Sequence, residues 1–209
     1  MRKGYISNPV ISRMPRYFRC VDELYHEKCV RVSSAALAEK LGLTASQVRQ
    51  DFSCFGEFGQ QGYGYNVEEL RAEIGHILGV DNDHHLVMIG VGNLGRALLR
   101  NFPFSQTGFS ADAAFDVSPN VIGTTVNGVP VYAMNELEKY IETHSVDVVV
   151  LTIPQDVAQD TADRLIEMGV HGFWNFTNVE LSSAKADVKF ENIHFADSLL
   201  TLSYRIANR

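Results

Sequence analysis

The sequence predicts an α/β chain in two parts: a small winged helix-turn-helix head, then a doubly wound parallel sheet closed by a terminal helix. Three observations predict it. Two short helices, each with its own start signal, are separated only by Gly42-Leu43-Thr44 and followed by a glycine-punctuated hairpin. A G-x-G-x-x-G turn lies between an apolar run and a helical stretch. Beyond that turn, apolar strands alternate with amphipathic helices almost to the end of the chain.

At roughly 100–200 residues per domain, 209 residues make one or two domains. The sequence places their boundaries at 1–79, 80–194 and 195–209. No run reaches the roughly 18 apolar residues of a membrane span. The basic start MRKGYISNPVISRMPRYF lacks the apolar stretch of a signal peptide. Cys20, Cys29 and Cys54 are odd in number and match no zinc spacing, so they read as reduced thiols of a cytoplasmic protein. The net charge of −7 hides an asymmetry. Residues 1–60 carry nine Lys/Arg against six Asp/Glu, a charge of +3, whereas residues 80–209 carry eight against sixteen, a charge of −8. A basic head on an acidic body points to nucleic acid at the head.

In the head, PRYFRCVDELYHE is predicted as a helix with Pro15 in its first turn and Tyr17, Val21, Leu24 and Tyr25 on one side. Ser33 or Ser34 caps a short helix that stops at Gly42. Thr44 caps the next, and Gln47 completes a capping box. Leu37, Leu41, Val48 and Phe52 pack the pair. Ser46, Gln47, Arg49 and Gln50 then face outward, and these side chains read base edges in a major groove. GEFGQQGYGYNV follows as a hairpin with Gln60 and Gln61 at the wing tip. Asn66 and Glu69 start a further helix that buries Leu70, Ile74, Ile77 and Leu78.

In the body, Gly90, Gly92 and Gly95 sit at a predicted strand-to-helix turn, with a helix from Asn93 to Asn101. Gly90 permits the tight turn, Gly92 lets a pyrophosphate approach the backbone, and Gly95 lets helix and strand pack closely. The helix N-terminus supplies free N–H groups and partial positive charge. Asp116 lies about 20 residues on, as a ribose-binding acid should, and its charge favours NAD over NADP. Further strands are predicted in VPVYA, SVDVVVLTIP and HGFWNFT, with a helix between each pair. Ligands bind at the carboxyl ends of such strands, which brings Thr152, Ile153, Pro154, Asn175 and Phe176 near the nicotinamide half. The tail ADSLLTLSYRIANR is apolar nearly all round and should be buried on several sides, in a second subunit if one sheet face lacks room.

The sequence offers no catalytic set. The head and the sheet leave no room for a substrate domain, and of the histidines only His194 could face a cofactor. The dinucleotide is therefore expected as a signal rather than a reagent, with a small NAD-dependent oxidoreductase or a coenzyme A-binding module as the rival readings.

The residues RMPRYFR, TASQVRQDFSCFGEFGQQGYGYNV, GVGNLGRALL, AAFDVSP, VVVLTIP, WNF and NIHFADSLLTLSY resemble, in order and spacing, the bacterial Rex family of redox-sensing transcriptional repressors. The resemblance runs over essentially the whole chain. It implies a homodimer with swapped C-terminal helices, an N-terminal winged helix and a Rossmann-like domain. It also implies that NAD+ permits binding to a palindromic operator and NADH releases it. The implied cofactor-binding residues are Gly90, Val91, Gly92, Asn93, Leu94, Gly95, Asp116, Val117, Thr152, Ile153, Pro154, Asn175 and Phe195. The implied DNA-binding residues are Arg13, Arg16, Thr44, Ser46, Gln47, Arg49, Gln50, Gln60, Gln61 and Tyr63; no metal site is implied. Four features depart from the family pattern. Gln50 and the Gln60-Gln61 tip stand where basic residues are common, Thr177-Asn178 replaces a small residue and proline, and His194 replaces an acid. A histidine there is expected to make switching depend on pH.

Overall fold

The structure is a computed structural model that describes residues 6–56, 58 and 63–208. It divides into two compact units, Met1–Asn82 and Asp83–Arg209, so the boundary follows Asn82 rather than Gly79.

In the first unit, α1 (Asn8–His26) begins well before the predicted start at Pro15. Pro9 occupies its first turn, and Pro15 sits inside it on the exposed face, where water can take the carbonyl left without an N–H partner. Val10, Met14, Tyr17, Val21 and Leu24 form its buried stripe at helical spacing. Strand β1 (Arg31–Val32) follows. Helix α2 (Ser34–Leu41) starts where the Ser33 hydroxyl accepts the Ala36 N–H at 3.1 Å, and it ends at Gly42 with φ +67°. Helix α3 (Ala45–Ser53) starts where the Thr44 hydroxyl accepts the Gln47 N–H at 3.1 Å. The Gln47 side chain does not close the predicted capping box: it bonds Asp51, a stronger, charged acceptor. Strand β2 (Tyr65–Asn66) pairs antiparallel with β1, a partner the sequence reading did not supply. Asn66 Oδ1 accepts the N–H groups of Glu68 and Glu69 to open α4 (Val67–Leu78), which Gly79 closes at φ +74°. Tyr17, Leu37, Val48, Phe52 and Ile74 form the centre of this unit's core. Gln60 and Gln61 lie outside the described residues.

The second unit runs β3 (His84–Ile89), α5 (Asn93–Asn101), β4 (Phe109–Asp116), β5 (Thr125–Val126), β6 (Val129–Ala133), α6 (Leu137–Thr143) and β7 (Val148–Leu151). It continues through α7 (Ala158–Glu167), β8 (Gly172–Asn175), β9 (Lys189–Asn192) and α8 (Phe195–Ala207). The strand order is β5-β6-β4-β3-β7-β8-β9, parallel throughout except that β5 runs against β6. Apart from β5, this is the order of the doubly wound dinucleotide fold, whose direction reverses between β3 and β7. Alternate residues of β3 feed two cores. Val87 and Ile89 pack with Leu165 and Ile166 of α7 on one face, and Leu86 and Met88 with Leu99 of α5 on the other.

The sequence expects α8 to be buried, in a second subunit if one sheet face lacks room; in the single chain every described residue of it is exposed, with Leu199 and Leu200 at 67%. Among the described residues, nothing covers the leucines of this helix.

Candidate functional site

The three glycines meet three different constraints. Gly90 has φ +94°, and a Cβ there would meet the Thr152 carbonyl oxygen at 2.7 Å. A Cβ on Gly95 would run into the carbonyl oxygen of Gly90 and stand 2.9 Å from the Thr152 hydroxyl. A Cβ on Gly92 would meet nothing within 4 Å. The two outer glycines are thus demanded by the protein's own packing, and the middle one opens on free space. That space lies at the N-terminus of α5, where no side chain caps the helix. The N–H groups of its first turn have no intrahelical acceptor and aim partial positive charge outward. The residues fit a pyrophosphate held against Gly92, Asn93 and Leu94.

Asp116 ends β4 beside this turn. Its Oδ2 accepts the Val91 N–H at 2.5 Å and its Oδ1 the Ser118 N–H at 2.7 Å. Each oxygen keeps a lone pair, so the oriented carboxylate can still accept two ribose hydroxyls. Val117 next to it presents an apolar side chain that is 82% exposed. Val91 itself is a core residue and can offer only backbone.

At the end of β7 the Thr152 hydroxyl donates to the Gly90 carbonyl at 2.7 Å, tying the strand to the glycine turn. Ile153 is half-buried and Pro154 exposed beyond it. Asn175 needs a correction. The sequence reading puts it against the cofactor, but its side chain is 1% exposed and spent within the protein. Its Nδ2 donates to Val179 O and Asn192 Oδ1, and its Oδ1 accepts the Thr177 N–H and hydroxyl. All four of its hydrogen-bonding positions are filled, and they stitch the loop after β8 to β9. Asn178 in that loop takes φ +60°, a conformation asparagine tolerates and the proline of the family pattern could not adopt. His194 Nε2 lies 2.9 Å from Glu180 Oε2, a contact that holds the Glu180 carboxyl below its ordinary range. Phe195 opens α8, its ring 6.0 Å from that of Phe176.

In the first unit, Ser46, Arg49 and Gln50 are exposed on α3, as predicted, and Gln47 is half-buried. Arg49 Nη1 donates to the Ser34 hydroxyl at 3.0 Å, and Arg31 Nη1 to the Tyr63 carbonyl at 3.1 Å. Two of the DNA-binding residues implied by the resemblance are engaged inside the unit. Arg16 Nη2 bonds the Leu41 carbonyl at 2.7 Å, at the end of α2. Arg13 forms a bidentate pair with Asp51, Nε to Oδ2 at 2.6 Å and Nη2 to Oδ1 at 2.8 Å. Asp51, which the sequence reading passed over, is fully buried. Its signal was present: it falls between Val48 and Phe52 on the apolar stripe of α3, where a carboxylate requires partners. Among the described residues no group of three or more His, Cys, Asp or Glu could hold a metal, and no helix is long and apolar enough to cross a membrane.

Comparison with known proteins agrees with this division. The family model "Putative DNA-binding protein N-terminus" matches residues 5–53, and "CoA binding domain" matches 81–179. The redox-sensing transcriptional repressor Rex of Caldanaerobacter subterraneus subsp. tengcongensis is 44% identical over 205 residues, 98% of this chain and 91% of that protein. The chain belongs to the Rex family. The Rex repressor of Clostridium botulinum is likewise 44% identical, over 97% of this chain and 96% of its own. Two solved structures share the fold over 98% of this chain. One is RSP in complex with β-NAD+ and operator DNA, with TM-score 0.91, 44% identity and 94% of that chain covered. The other is RSP in complex with β-NADH, with TM-score 0.90, 41% identity and 96% covered. This Rex chain therefore has the helical DNA-binding head and the Rossmann-like sheet of the family.

Proposed function

We propose that this protein is a cytoplasmic homodimer that represses transcription by holding palindromic operator DNA through α3, and that it lets go when NADH rises relative to NAD+. One observation carries the reading: a cradle left open only at Gly92, with the oriented Asp116 carboxylate beside it, on the same chain as a helix-turn-helix. The RSP structures carry NAD+ with operator DNA and NADH, which supports reading the cradle as a nucleotide sensor rather than an enzyme. The residues that would hold the cofactor are Gly92, Asn93 and Leu94 at the pyrophosphate and Asp116 at the ribose, with Thr152 to Pro154 beside the nicotinamide. The coenzyme binds without being consumed. Its two redox forms differ by a hydride and one positive charge, and each shifts DNA affinity only by its differential affinity for the binding and released states.

A fluorescence titration tests the cradle. NADH should bind and NADPH should bind at least tenfold more weakly, because Asp116 repels a 2′-phosphate across a short gap, an effect of roughly 1.4 kcal/mol or more. The "CoA binding domain" match makes coenzyme A the informative competitor. Coenzyme A binding with no NADH binding would overturn the proposal.

The exposed apolar surface of α8 supports a swapped dimerisation helix over 195–209, beside a DNA-binding domain over 1–82 and a nucleotide domain over 83–194. A chain ending at His194 should sediment as a monomer, and the full chain as a dimer. Since two-fold operators need two heads, the shortened chain should also lose most of its operator affinity. A dimer that survives the deletion would remove α8 from the interface.

A further inference from the structure

We propose that Asp51 is a positioning residue for sequence readout: from the buried face of α3 it holds the Gln47 side-chain amide in the polarity that matches adenine. The proposal rests on the reading of α3 as the recognition helix and adds what sets its base preference.

The Asp51 carboxylate is fixed from two helices. Arg13 and Tyr17 of α1 reach it, Arg13 in bidentate fashion and the Tyr17 hydroxyl at 2.7 Å from Oδ2. Gln47, one turn earlier on α3, donates its Nε2 to Oδ1 at 2.8 Å. Burial by itself would raise the Asp51 carboxyl, but the bonds from Arg13, Tyr17 and Gln47 outweigh it and keep the group below its ordinary range. Asp51 is therefore ionised, and an ionised carboxylate only accepts.

That fact settles a choice the Gln47 amide would otherwise leave open. Oxygen and nitrogen of a side-chain amide are nearly the same shape and exchange by a simple flip. Against an anion the nitrogen must face inward. One Nε2–H is then used on Asp51, and the second N–H and Oε1 remain free. A donor beside an acceptor is the pattern that meets N7 and the 6-amino group of adenine in the major groove. Guanine offers two acceptors there, and thymine an acceptor and a methyl group. Gln47 lies in the first turn of α3, the part of a recognition helix that touches base edges. Because Asp51 holds it before DNA arrives, the side chain loses less freedom on binding.

The full-length protein is bound to a pool of DNA duplexes randomised over a half-site, and the retained duplexes are sequenced. The wild type should favour adenine at one position per half-site by roughly tenfold or more, within the range of a bidentate pair. Gln47→Ala and Asp51→Asn should each flatten that one position and leave the others, and the double variant should flatten it no further. A purely structural Asp51 would instead weaken every sequence alike, and that profile would overturn the proposal. So would an unchanged profile in Gln47→Ala. If Asp51→Asn does not fold, a structure of the wild type on the selected duplex decides: Gln47 Nε2 should still bond Asp51 while the free N–H and Oε1 meet N7 and the 6-amino group of one adenine. A Gln47 amide that has left Asp51, or that touches no adenine, then overturns the proposal. A wild type that enriches no sequence at all would instead overturn the DNA-binding reading beneath it.

Discussion

Replacing Gly92 with valine is expected to abolish NADH binding while leaving the protein folded. A Cβ at this position meets no atom within 4 Å, and φ is −71°, on the side of the map that L side chains adopt. The protein therefore loses little. The ligand loses the approach of its pyrophosphate to the first N–H groups of α5. Hydrogen bonds to a charged group contribute about 1.5–3 kcal/mol each, so two lost bonds weaken binding roughly 100-fold or more. Gly95→Ala makes the contrast. Its Cβ would fall on the carbonyl of Gly90, and overpacking of this kind costs about 1–3 kcal/mol or more, so its melting temperature should drop. Thermal melts and NADH titrations of the two variants check the division. A Gly92→Val variant that keeps wild-type NADH affinity would put the cofactor elsewhere.

Replacing Asp51 with alanine is expected to be the most damaging change in the head. It strands the Arg13 guanidinium, the Tyr17 hydroxyl and the Gln47 amide together. Breaking a buried pair from one side costs about 3–5 kcal/mol. The Arg13 side chain keeps 23% exposure and can recover some hydration, which places the expected loss near the lower end, about 3 kcal/mol. The same group predicts a pH dependence. Its pKa is depressed in the folded state relative to the unfolded one. Its contribution is therefore complete above the ordinary carboxyl pKa and is lost as pH falls below about 4, through the folded value. Circular dichroism melts of wild type, Asp51→Ala and Asp51→Asn between neutral and acid pH check both points. The wild type should lose stability in acid more steeply than the variant. Parallel curves would mean that Asp51 is not ionised in the fold.

How much of this was legible in the sequence depended on how local the cause was. Ser33 or Ser34, Thr44 and Asn66 were readable as helix starts and Gly42 as a stop, because a cap acts within four residues. The bounds of α5 and the position of Asp116 at the end of β4 were readable from spacing alone. The start of α1 was not, since a proline inside a helix and a proline opening one look alike until the exposed face is known. Strands β1 and β5 have two residues each, and β9 lies at the sheet edge, so none carries enough periodicity to announce itself. Asn175 failed for a different reason. Its place at the carboxyl end of β8 was read correctly, but its four partners come from a loop and a strand that no spacing rule connects to it. The Arg13 pair with Asp51 was not legible, because the two residues lie 38 positions apart. The exposure of α8 was expected in substance, since an apolar helix that one sheet face cannot cover needs a second chain.

The measurement that tests the central claim most directly is fluorescence anisotropy of the full-length protein on a palindromic duplex carrying the sequence it selects, at fixed salt, titrated separately with NADH and NAD+. NADH should weaken binding by roughly 5–150-fold, the span of ordinary coupling energies, and NAD+ should leave the complex in place. By reciprocity the same DNA should weaken NADH binding by the same factor. DNA binding that responds equally to both nucleotides, or to neither, would contradict the account.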